Sequence, residues 1–334
     1  MNSLQRYLSV VKGDRVDFLP RVPILMQFAA EYIGSNYGAF ASDYHVLVEA
    51  NRRCAEDFGI DQVSAISDPY RETHGFGAEI VYLQDAAPKC TRHPLEKNKD
   101  LPSLHRPNPL QSERMLDRIM AIRAYKAGVG GEYSIMGWIE GPAAEAATLR
   151  GVSNFLIDLL DDPRFAAELM DLCVDVAIDF ARSQVEAGAD TIGIGDAIAS
   201  QVSPTLYERL IQPREKRLVR AVNAMGAIVR LHICGNTTHL LPGISDMGIH
   251  IMDVDHMVDM KTVRRVLGER VVLSGNIDPA SGVRFSTPGF IRETIWKIYK
   301  EVGNPYMVNA GCEIPPGTPA ENLKALCEPI PFEP

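Results

Sequence analysis

The 334-residue chain predicts an α/β fold, a closed (β/α)8 TIM barrel running as one domain over residues 1–334. Three observations carry that prediction. Eight short apolar or β-branched segments recur along the chain, and stretches of helical periodicity separate most of them. Nearly every segment also ends in a polar or ionisable residue, as barrel strands do where they reach the mouth. Alternating strand and helix gives a parallel sheet, and eight such units close it rather than leave it open.

In order, the residues before the barrel, MNSLQRYLSVVKGDRVDF, read as a helical extension. The strands follow as VPILMQF (22–28), QVSAIS (62–67), YSIMGWI (133–139), TIGIG (191–195), VRLHIC (229–234), HIMDV (250–254), VVLSG (271–275) and YMVNA (306–310). Between the second and third, GAEIVYLQDAAPKC (77–90) reads as a hairpin, and a proline-spaced segment continues to Pro109. That stretch is too long for one helix. It is read as an insertion over the barrel mouth, either a lid or a solvated loop on one side. Helix ends are punctuated: Ser203-Pro204 supplies a cap and a first-turn proline, and Thr318-Pro319-Ala320-Glu321 reads as a capping box. VEAGAD (185–190) and EVGNP (301–305) each put a glycine just past a helical run.

Composition bounds the function. Apolar residues make up 46% and charged residues 23%, ordinary for a chain that buries a sizeable core. No apolar run approaches the roughly 20 residues that cross a bilayer, and no signal-peptide pattern opens the chain, so the expectation is a cytoplasmic protein without a membrane segment. A net charge of −9 with scattered Lys and Arg argues against a nucleic-acid partner. The six cysteines lie far apart, so metal binding or burial is expected rather than a disulfide framework. Cys54, Cys173 and Cys327 fall in helical patterns and read as small core residues.

The chemistry-bearing residues sit at predicted strand ends: Asp68, Glu140, Asp196, His232 with Cys234, Asp255 with His256, Asn276 with Asp278, and Cys312. Any one of them could simply cap a loop. Together they make a candidate site, since carboxylates buried at strand ends need partners or a metal. Along a strand, residues i and i+2 share a face, so His232 and Cys234 would point at one ion while Ile233 packs behind. Cys312, where the eighth strand enters its loop, would add a second thiolate above the barrel axis. Three protein ligands with one open position describe a catalytic zinc site. Phe28, Tyr70 and Trp138 could line an aromatic pocket, and His256 and Asn276 are further candidate substrate contacts.

The motifs LHICGNTTHLL (231–241), SGNIDP (274–279), NAGCEIPPGTPAENLKAL (309–326), VEAGADTIGIGDAIAS (185–200) and IEGPAAEA (139–146) are long and ordered. With a looser match at ISDPYRETHGFGAEI (66–80), the chain resembles the uroporphyrinogen decarboxylase superfamily, and within it the corrinoid-dependent zinc methyltransferases. The resemblance implies zinc on His232, Cys234 and Cys312. Glu140 would close the zinc shell or act as acid and base. A separate corrinoid protein would dock over the mouth.

Against the decarboxylase branch, the pattern Met-Arg-Gln-Ala-Gly-Arg-Tyr is replaced by Met26-Gln27-Phe28-Ala29-Ala30-Glu31-Tyr32, which lacks both carboxylate-binding arginines, although Asp68 matches that branch's catalytic aspartate. Glu313 departs from the small residue that coenzyme M enzymes tend to carry after the cysteine. The implied activity is transfer of a methyl group between a small substrate and a corrinoid cobalt, leaning to an O-methyl donor such as a methoxylated aromatic. The alternatives are a methylcobamide:thiol methyltransferase, a decarboxylase, and an idle metal-carrying barrel. The oligomeric state is left open between a homodimer, common for barrels of this size, and a monomer that contacts only its corrinoid partner.

Overall fold

In the computed structural model, which describes residues 1–333, seven parallel strands curl side by side. They are β1 (Gln62–Ser64), β4 (Ser134–Glu140), β5 (Thr191–Gly195), β6 (Ile228–His232), β7 (Ile251–Asp253), β8 (Val272–Ser274) and β9 (Tyr306–Met307), hydrogen-bonded in that order. A separate antiparallel hairpin joins β2 (Glu79–Leu83) to β3 (Ala86–Arg92), the insertion expected between the second and third segments. Along the parallel strands nearly every residue is buried, because helices cover the outer face and side chains fill the interior.

The segment expected to be the first strand, 22–28, does something different. Only its start joins the sheet. Arg21 bridges Val308, the Val22 N–H donates to the Val308 carbonyl at 2.9 Å, and the Asp61 N–H donates to the Arg21 carbonyl at 2.8 Å. This short seam links β9 to β1 and closes the ring. Pro20 and Pro23 bracket it and have no N–H to give, so the ladder cannot lengthen. The chain then turns into a helix, Gln27–Tyr32. Phe28 therefore sits on a helix, against Tyr32 and Phe58, and not on a strand facing the barrel.

The amino-terminal extension is a helix, Ser3–Lys12, opened by a capping box between Asn2 and Gln5. It covers the barrel's closed end. Tyr7 and Val10 pack with Val22, Ile251, Val272 and Met307, and the Tyr7 hydroxyl meets Thr191 Oγ1 at 3.0 Å. Arg6 and Arg21 both pair with the buried Asp61 beneath β1. At the other end, Ser203 caps its helix through the Leu206 N–H, as expected. The Thr318 box does not form. The last helix begins at Ala320, and the Thr318 hydroxyl donates to the Pro315 carbonyl instead. Among the described residues no helix is long and apolar enough to cross a membrane.

Candidate metal centre

Inside the barrel, Arg230 on β6 pairs with Asp253 on β7 at 2.7 Å and donates to Gln62 and to the Val22 carbonyl. This buried pair forms a floor. His232 stands two residues further along β6, on the same face, with Asp253 3.9 Å from its Nδ1. Ile233 turns back into the core, as strand alternation requires. Cys234 follows in the loop, its sulfur 3.0 Å from His232 Nε2.

Cys312 arrives from the far side of the sequence. Ala310 bridges Ile277 and the Gly311 N–H donates to the Ile277 carbonyl, which fixes the loop after β9. A Cβ on Gly311 would lie 2.4 Å from the His256 backbone nitrogen, so only glycine lets the chain pass there. Cys312 then places its sulfur 3.7 Å from both Cys234 Sγ and His232 Nε2.

The donor set suits zinc. Tetrahedral bonds of about 2.3 Å to sulfur and about 2.0 Å to nitrogen need ligand atoms separated by roughly 3.5–3.8 Å. Two of the three separations meet that, and the His232–Cys234 gap would open by about half an ångström. His232 Nδ1 is buried and has no hydrogen-bond partner among the described residues, with a carboxylate just out of reach. A ligating histidine ordinarily gives its other N–H to such a group. A hydrogen bond from Cys234, acting against burial and helped by His232, lowers the Cys312 thiol below its ordinary value, the direction a metal-binding thiolate needs. The same hydrogen bond to Cys312, together with burial, raises the Cys234 thiol.

These three residues form one wall of a cavity of about 260 Å³. Ile24, Met26, Tyr37, Ile66 and Trp138 give it apolar and aromatic surface, and Ala87 of the hairpin forms part of its rim. Its charged lining is acidic: Asp68, Glu140 and Glu313. Burial raises Glu140 to about 7 against the pull of Arg71, which donates to it at 2.7 Å; the Trp138 indole donates at 3.0 Å. Burial would raise Asp68 too. Arg114 at 2.9 Å and Arg71 outweigh it, and Asp68 stays below the usual carboxylate range.

The structure brings seven of the expected residues to this end, and corrects others. His232, Cys234, Cys312, Glu140, Asp68 and Trp138 line the cavity, and His256 borders the Cys312 loop without lining it. Asp196 turns away. Its carboxylate accepts the N–H groups of Ala143 and Ala144 and caps the helix Pro142–Arg150, so it is not placed as a catalytic group. Asn276 cross-links the Asp255 and Val258 carbonyls, and His256 lies between Asp255 and Asp278. Tyr70, like Phe28, is absent from the cavity lining. Not anticipated were Arg71, Arg114 and Tyr37. Arg71 reaches Glu140 across 69 residues of chain and Arg114 reaches Asp68 across 46, so no local spacing announces these two pairs. Tyr37 donates to the Ser67 carbonyl at 2.7 Å and shapes a wall.

The uroporphyrinogen decarboxylase (URO-D) family model matches residues 2–330. The chain belongs to that family. Among its relatives, methylcobamide:CoM methyltransferase MtaA of Methanosarcina barkeri is 29% identical over 334 residues, covering 96% of this chain and 95% of its own. Uroporphyrinogen decarboxylase of Nostoc punctiforme is 28% identical over 292 residues, covering 85% and 81%. A solved methyltransferase from Methanosarcina mazei superposes with a TM-score of 0.89 at 26% identity, covering 98% of this chain and 97% of that one. Both kinds of relative are enzymes, and the barrel and the resemblance read from the motifs agree with them.

Proposed function

We propose that this chain is a zinc methyltransferase of the URO-D family. It would move a methyl group between a small substrate in the 260 Å³ cavity and the cobalt of a separate corrinoid protein docked over the barrel mouth. The observation that carries this reading is the convergence of His232, Cys234 and Cys312 on one wall of that cavity. Zinc, when bound there, supplies Lewis acidity to whatever occupies its open position. The methyltransferase relatives support the same branch.

The chain's own groups divide the remaining work. Glu140 holds a proton near neutrality and lies on the cavity, so it can pass that proton to a leaving oxygen or take one from an entering thiol. Asp68 stays ionised; its role is to fix Arg114 and the turn at Tyr70. Trp138, Tyr37, Met26 and the two isoleucines exclude water and accept a flat apolar ring. These walls favour an O-methyl donor, such as a methoxylated aromatic. An acidic lining offers no counter-ion to a sulfonated thiol. We place the reaction in the cytoplasm, where free thiols persist.

Decarboxylation of a tetrapyrrole is opposed by the same cavity. It is below the roughly 300–1,000 Å³ of drug-sized sites, and the nearby arginines are taken up by carboxylates. The test is metal analysis of protein purified without chelators, followed by mixing with a reduced corrinoid protein and a methoxyarene. About one zinc per chain and growth of the methyl–cobalt absorbance are expected. Absence of zinc after reconstitution would overturn the reading.

A further inference from the structure

Beneath the metal centre, one buried carboxyl group is only half used. Asp253 ends β7 in register with His232 on β6 and with Ser274 on β8, so the three side chains share a face of the sheet. Its Oδ2 accepts from Arg230 Nε at 2.7 Å, and its Oδ1 accepts from Asn309 Nδ2 at 3.3 Å. Two carboxyl oxygens can accept about four hydrogen bonds, so each has room for another donor. On Asp253's neighbours, three buried polar atoms have no partner among the described residues: His232 Nδ1, Ser274 Oγ and Asn309 Oδ1.

His232 Nδ1 lies 3.9 Å from Asp253 Oδ2, the oxygen that Arg230 already holds. A hydrogen bond there needs the gap to close by about 0.7 Å, to the roughly 3.2 Å limit of an N–H···O contact. The other ring nitrogen, Nε2, faces the two sulfurs, 3.0 Å from Cys234 and 3.7 Å from Cys312. A neutral imidazole carries one proton on one of its nitrogens, and only the bare nitrogen can bind a metal. The tautomer this centre needs therefore has its proton on Nδ1. A group that accepts a hydrogen bond at Nδ1 selects that tautomer, and Asp253 is the acceptor the sheet places in register with it.

Resting on the zinc reading of this centre, we propose that Asp253 is a positioning residue for His232. It accepts the Nδ1–H, keeps Nε2 bare toward Cys234 and Cys312, and is itself held by Arg230 and Asn309. The affinity of the metal site is thereby set from the floor of the barrel, by a residue outside the cavity lining. Removing a partner of this kind lowers metal affinity by about 10–100-fold.

The experiment reads zinc binding and the His232 Nδ1 proton, with no corrinoid partner present. Removing Asp253 alone would strand the buried Arg230 charge and endanger the fold, so two double variants share Arg230→Met. Asp253→Asn on that background keeps an acceptor oxygen, and its new amide hydrogens meet the unpartnered Asn309 Oδ1. Asp253→Leu keeps the size and removes the acceptor. Competition with a chromophoric chelator should show zinc held about 10–100-fold more weakly by the leucine variant than by the asparagine variant. A general loosening of the barrel would weaken both alike. In NMR of zinc-loaded wild type with isotope-labelled histidine, the Nδ1 proton should resonate far downfield, as a proton donated to a carboxyl group does. It should move upfield in the leucine variant. Equal zinc affinity in the two variants, or a wild-type Nδ1 proton without the downfield position, would overturn the assignment and leave the zinc site standing; the second measurement needs no variant to fold. Wild type that takes up no zinc would overturn the zinc reading itself, and this inference with it.

Discussion

The sulfurs of Cys234 and Cys312 stand 3.7 Å apart although 78 residues of chain separate them. Nothing but the closed barrel brings these loops together, and a metal there would tie one end of the sheet to the other. Cys312→Ala removes a ligand and little core volume, since Cys312 is only half-buried. The variant should fold but lose zinc and methyl transfer. Wild type should lose thermal midpoint when chelator strips the metal, because a ligand bound only to the folded state stabilises it. The variant's midpoint should not respond to chelator. A full zinc complement in Cys312→Ala would sink the three-ligand site.

Asp196 makes a different prediction from the one its strand-end position suggests. Its carboxylate serves the Ala143 and Ala144 N–H groups, and Asp196→Ala would leave both without their partner. Stability should fall by about 1–3 kcal/mol, as for other buried donors deprived of an acceptor. Zinc content should stay at the wild-type level below the unfolding temperature. Denaturant unfolding with parallel metal analysis checks both. Loss of zinc at full stability would return Asp196 to the site.

The contrast between these two residues shows what was legible. His232 ends β6 and Cys234 lies two residues on in the loop, where the alternation of the strand still turns both to one side, so periodicity paired them, and the eight-segment count gave the barrel that delivers Cys312. Asp196 sits at a strand end just as Glu140 does, but whether a carboxylate turns toward the cavity or toward a helix amino terminus depends on tertiary packing. Gly141 leaves the room that Asp196 fills: a Cβ there would lie 2.5 Å from its carboxyl carbon. Phe28 misled for a backbone reason. An apolar run between prolines can start as a strand, but it lost its ladder donors and finished as a helix.

Trp138 offers a test of the cavity wall from beneath. A Cβ on Gly193 would lie 2.3 Å from the Trp138 ring, across the β4–β5 pairing that sets them side by side. Gly193→Ala must therefore push the indole off its seat, at about 1–3 kcal/mol for overpacking. The indole N–H would then lose Glu140, and methyl transfer should drop about tenfold while zinc stays bound. Unchanged turnover in a folded Gly193→Ala protein would show that the position of the Trp138 ring does not matter to the reaction.

Glu215 predicts how stability follows pH, away from the metal. Burial raises it to about 7 from an ordinary 4.5, although hydrogen bonds with Tyr207 and Asp196 pull the other way. Asp196, buried beside it, is raised as well. In the folded chain Glu215 keeps a proton that the unfolded chain has released, so between those two values folding takes up protons. Stability should then fall as pH rises from about 4.5, with the loss complete above about 7. One such proton gives a slope of at most about 1.4 kcal/mol per pH unit. Glu215→Gln cannot ionise and should flatten the decline by up to that amount. The comparison is guanidinium unfolding from pH 5 to 8 with chelator present, so that metal affinity does not enter. Parallel slopes for wild type and Glu215→Gln would mean that Glu215 is ionised in the folded barrel and that its proton does not govern the decline.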